Sequence, residues 1–86
     1  MLYLAAHPSN GGEKRLGTVL SEISTARFNL FDDVWVIETE LPATANRDEL
    51  KQVLDTNEPL VVAVLAGHAV WQGFSQSSTD WLLRHL

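Results

Sequence analysis

The chain has 86 residues, 45% of them apolar and 20% charged, with eleven acids against six bases and no cysteine. That length holds one core and one domain, residues 1–86, and buries only roughly 60–65% of the unfolded surface. The totals exclude disorder, a disulfide framework and a thiolate metal site, and a net charge of −5 leaves few Lys or Arg side chains to neutralise phosphates.

The first stretch, "MLYLAA", is short, apolar and bounded by "HPSNGG", which reads as a buried strand followed by a loop. It has no basic start and turns polar after six residues, so a secretory signal is rejected. From Glu13 to about Thr25 the apolar residues Leu16, Val19, Leu20 and Ile23 recur at helical spacing. Gly17 weakens that helix by ~1 kcal/mol relative to alanine and would permit close approach to a sheet. "RFNLFDDVWVIETEL" reads as two strands around a tight "DD" turn, with Val34 and Val36 on one face and Trp35 and Ile37 on the other.

"PATANRDELKQVLDTNEP" reads as a second helix, capped by Thr44 or Asn46 with Glu49 as the partner of a capping box. Leu50, Val53 and Leu54 form its buried stripe, and Asn57 with Pro59 ends it. "LVVAVLAG" is the most apolar strand. The last element, "SSTDWLLRHL", is a short helix with a Ser or Thr cap, Asp80 in its first turn and Arg84 and His85 near its end.

This order, βαββαβ plus a C-terminal helix, predicts an α+β ferredoxin-like fold: a four-stranded antiparallel sheet with both long helices on one face. The last strand then lies at a sheet edge, yet residues 60–65 are apolar on both faces and need cover. Either the C-terminal segment or the same segment of a second copy provides it. Trp71, Phe74 and Trp81, with Val62 and Val64 of the strand, are therefore the expected packing or interface residues.

The stretches "DDVWVIET", "RDELKQVLDTNEPLVVAVLAGHAVWQGF" and "DWLLRHL" resemble the SinR family of small proteins from bacteria and their viruses. That family is similar to the ferredoxin-like superfamily of the small CRISPR spacer-acquisition subunit and the VapD-type ribonucleases. The likeness covers residues 33–86, and the first 30 only by position and pattern. It implies a homodimer joined along sheet edges or faces. Nuclease members carry an aspartate at the end of the first strand, where paired copies hold a divalent metal. Here that place reads "LAAHPSN", with Ala6 or His7 in the acid's position, and imidazole is a poor ligand for a hard cation. The resemblance therefore implies the fold and the dimer without the catalysis.

His7, Asp32 and Asp33 are the candidate catalytic residues, weighed against strand-end and turn roles. A His68–Asp80 dyad has no nucleophile motif beside it. Stacking of nucleic-acid bases on Trp71, Phe74 or Trp81 would need cations that residues 66–83 lack, so a nucleic-acid groove is disfavoured. Asp48 and Glu49 complement a helix dipole, and Arg47 is placed to pair with an acid of a neighbouring strand or subunit. "NGG" at 10–12 offers backbone amides to an anion, a weak signal without a following lysine in place.

The leading expectation is a non-catalytic, homodimeric interaction module with a role in a mobile-element or defence system. It needs neither metal nor cofactor, engages a protein partner and no membrane, and is cytoplasmic. The alternative is a metal-dependent nuclease using substitute acids. A small-molecule or anion binder built on "HPSNGG" is the third reading.

Overall fold

A computed structural model describes residues 1–8, 15–54, 58–66, 70 and 72–86. Its elements run β1 (Leu2–His7), α1 (Gly17–Ile23), β2 (Ala26–Phe31), β3 (Asp33–Glu38), α2 (Ala43–Lys51), β4 (Val61–Leu65) and α3 (Gln76–His85). The strands form one antiparallel sheet in the order β2-β3-β1-β4, so each βαβ unit is split by a strand of the other. This is the expected ferredoxin-like α+β arrangement with an added C-terminal helix. Among the described residues, no helix is long and apolar enough to cross a membrane.

Alternation along the central strands divides the molecule into two apolar layers. Tyr3, Ala5 and Ile37 face α1 and α2, where they meet the buried Leu16, Leu20 and Leu50, with Val19, Ile23, Trp35 and Val62 packed around them. Each fully buried leucine contributes ~1.5–3 kcal/mol from removal of apolar surface from water. Leu2 and Val36 face the other way, against Leu82 of α3, with Leu4, Leu30, Leu65, Phe74 and Trp81 around them. The expected split of Val34 and Val36 from Trp35 and Ile37 holds. Cover for the second face comes from the chain's own tail: Trp81 stacks on Phe28 with ring centroids 5.3 Å apart, and His85 stacks on Trp81 at 4.0 Å.

Phe74 and Trp81 thus pack within one chain, and Val62 lies against the helix core. Trp71 and His68 lie outside the described residues. Edge strand β4 remains half open, with Val61 56% and Val64 51% exposed. The register puts these two valines on opposite faces, Val61 opposite Ala6 and Val64 opposite Tyr3.

The tight "DD" turn holds, while other local expectations need correction. Asp32 and Asp33 connect Phe31 to its partner Val34, with Asp32 at φ 46°, a left-handed conformation aspartate tolerates, and Asp33 also begins β3 by pairing with His7 of β1. Asn29 braces that turn by donating through Nδ2 to the carbonyls of Asp32 and Val34. Helix α1 begins at Gly17, four residues later than the periodicity implies. Helix α2 starts after Pro42, without a side-chain cap. Asn46 is buried inside it and donates to the Leu41 carbonyl, so neither it nor Thr44 caps. Proline suits a helix start because its fixed φ is compatible and its missing N–H removes no hydrogen bond. Ser75 caps α3 through the Ser78 amide, as a serine cap was expected to, and Asp80 falls beyond the first turn.

Candidate functional site

The two central strands bring His7 and Asp33 face to face. The β1–β3 register pairs the last residue of β1 with the first of β3. Both side chains lie on the α1/α2 side, as do Ala5 and Trp35 two pairs further in. Asp33 thus serves twice, as the second residue of the β2–β3 turn and as the partner of His7 at the start of β3. His7 Nδ1 lies 3.0 Å from Asp33 Oδ2, and the Asp33 side chain is 0% exposed.

A buried carboxylate is costly unless it is paired and hydrogen-bonded. Asp33 meets that condition with donors from three segments. Its Oδ2 accepts from the Arg15 amide at 2.9 Å, and both oxygens accept from the Leu16 amide at 3.3 Å. The Trp35 indole Nε1 donates to Oδ1 at 2.9 Å. Leu16 precedes α1, and among the described residues no N-cap side chain bonds the start of that helix. Asp33 therefore takes up amide donors at the start of α1 from across the sheet.

The other side of the imidazole meets Glu58. His7 Nε2 lies 2.6 Å from Glu58 Oε2, and Arg15 Nη1 donates to Glu58 Oε1 at 2.7 Å. Arg15 also donates through Nη2 to the Val53 carbonyl at 2.7 Å. Both ring nitrogens of His7 thus face carboxylate oxygens. Ionised carboxylates only accept, so the contacts are satisfied when the ring carries a hydrogen on each nitrogen or Glu58 supplies the second. The cluster ties together the end of β1, the start of β3, the approach to α1, the segment after α2 and the approach to β4.

Of the three candidate residues, His7 and Asp33 meet within one chain, and Asp32 stands apart in its exposed turn. Asp32, Ala6, His7, Pro8, Val34, Pro59, Leu60 and Val61 line an open cleft of about 250 Å³ at this end of the sheet. Arg15 and Glu58 were missed by sequence reasoning. The available signal was topological: if "LYLAAH" and "DVWVIE" are the central antiparallel strands, their ends must be neighbours, and a buried His–Asp pair needs further charged partners. Arg47 pairs with its neighbour Asp48 on the surface, not with another element. Residues 9–14, which include "NGG", lie outside the described residues.

Among the described residues, no group of three or more His, Cys, Asp or Glu side chains is arranged to hold a metal ion. Comparison with known proteins gives no match among family models, curated proteins or solved structures.

Proposed function

We propose that this chain is a non-catalytic, homodimeric interaction module, cytoplasmic and serving a mobile-element or defence system, as the resemblance to the SinR family implies. The observation that carries the reading is the β4 edge. From Leu60 to Leu65 it holds no charge and no proline, and Val61 and Val64 expose apolar surface on both faces. Natural edges are usually blunted by lysine, proline or a bulge, because an uncharged open strand recruits other strands. A second copy laid antiparallel along this edge would set valine, alanine and leucine against their own counterparts, with no acid meeting an acid in a chain of net charge −5.

The state of the polar cluster supports the non-catalytic part. A general base needs a ring nitrogen within reach of a substrate proton. Both nitrogens of His7 are engaged by Asp33 and Glu58, and the ring is buried. Asp33 accepts from two amides and an indole besides. Such a cluster fastens five segments together.

Size-exclusion chromatography with light scattering tests the dimer: twice the chain mass at micromolar concentration is expected, and a monomer there overturns it. Incubation with RNA and with DNA in Mg²⁺ or Mn²⁺ tests the rest. Intact substrates are expected; cleavage that disappears in His7→Ala would establish the nuclease alternative.

A further inference from the structure

Glu58 sets its two carboxylate oxygens against two different nitrogens, Oε1 against Arg15 Nη1, which donates to it, and Oε2 against His7 Nε2. Each of these partners is also fixed by contacts that do not involve Glu58. His7 is held through Nδ1 by Asp33; Arg15 is held through Nη2 by the Val53 carbonyl and through its amide by Asp33. Removing the Glu58 carboxylate would leave an oriented guanidinium and imidazole spaced to span two oxygens of one anion. Such a pair matches a carboxylate or a phosphate, and preorganised donors bind at lower entropic cost. The side chains of Glu58 and Arg15 are 22% and 35% exposed, so the outer half of the arrangement is open to water while the His7 ring backs it from inside. Among the described residues, Asp33 also faces the ring, on its far side, and its charge is already taken up by amide and indole donors.

We propose that Arg15 and His7 form a receptor for a small oxyanion, the phosphate of a monoester or a free carboxylate, and that Glu58 is the internal occupant such a ligand displaces. The receptor uses no residue of β4, and its variants leave Val61 and Val64 unchanged, so its failure and that of the dimer are separable.

The test titrates inorganic phosphate, and separately acetate, into the full chain, followed by ¹H–¹⁵N NMR at the Arg15 amide, the Arg15 side chain and the His7 ring. The proteins are the wild type, Glu58→Ala, Glu58→Gln and the double variant Glu58→Ala/Arg15→Ala. Loss of the tethered competitor is expected to tighten the apparent Kd for one of the anions by on the order of tenfold or more, and the double variant to lose that gain. Preference for phosphate marks a monoester as the ligand; preference for acetate marks a carboxylate. Equal affinity of wild type and both Glu58 variants overturns the proposal, as does a double variant that binds like Glu58→Ala. Failure of both Glu58 variants to fold also overturns it, since Glu58 would then be a structural tie and not an exchangeable occupant.

Discussion

His7 and Asp33 form a cross-strand pair at the end of the two central strands, 3.0 Å apart, with the carboxylate fully enclosed. The pair is the inner anchor of the cluster. Truncating one partner of a buried ionic contact costs about 3–5 kcal/mol, because the remaining donors stay buried without an acceptor. Asp33→Ala is therefore expected to lose about half of the roughly 5–10 kcal/mol that holds a domain of this size together. Asp33→Asn should recover only part, since its amide sets an N–H₂ against N–H donors. Urea denaturation followed by circular dichroism measures both; a change under 1 kcal/mol for Asp33→Ala would mean that the enclosed carboxylate does little.

A second expectation concerns Gly17 and Trp35. A Cβ at Gly17 would come 3.2 Å from Trp35 Cζ2 and 3.3 Å from Cη2. The ring cannot slide aside freely, because its Nε1 is bonded to Asp33. Crowding then outweighs the gain of up to ~1 kcal/mol in helix propensity, and Gly17→Ala destabilises by about 1 kcal/mol. In a Trp35→Phe background the shorter ring leaves room, and the same substitution should become stabilising. A double-mutant cycle on urea midpoints reads the change of sign.

Trp81 fastens α3 to the sheet through its stack on Phe28. Trp81→Ala is expected to cost about 2–3 kcal/mol, less than a fully enclosed tryptophan would. The loss should be local. Amide exchange quickens over residues 76–86 while β1 and β3 stay protected. Uniform acceleration across the sheet would show instead that α3 unfolds only with the whole.

The β4 edge gives the last prediction. Val61→Lys with Val64→Lys places one ammonium on each face of the edge strand at sites already half exposed. Stability should change by no more than about 0.5 kcal/mol per site, while light scattering shows the monomer mass. A double variant that stays dimeric moves the interface elsewhere.

The elements were legible because their signals are local: the alternation in "DVWVIE", the helical spacing of Leu16 and Leu20, the serine ahead of α3. Their order sufficed for the topology. The polar cluster was not legible, since its members are separated by as many as 51 residues and meet only through strand register. Asp33 is half of the turn, as adjacent acids between strands usually are, but its enclosure comes from His7, the Arg15 and Leu16 amides and the Trp35 indole, which no local pattern announces. Helix α2 misled for a related reason: Asn46 has a capping side chain but spends it inside the helix, on the Leu41 carbonyl.

Strand β1 sits between β3 and β4, though it precedes both in the chain. On the ribosome, β1 emerges before both of its neighbours and must wait for residues beyond 60 before its second flank is paired. Assembly is governed by long-range closure, which favours a slow, late and all-or-none commitment over stepwise accretion behind the exit tunnel.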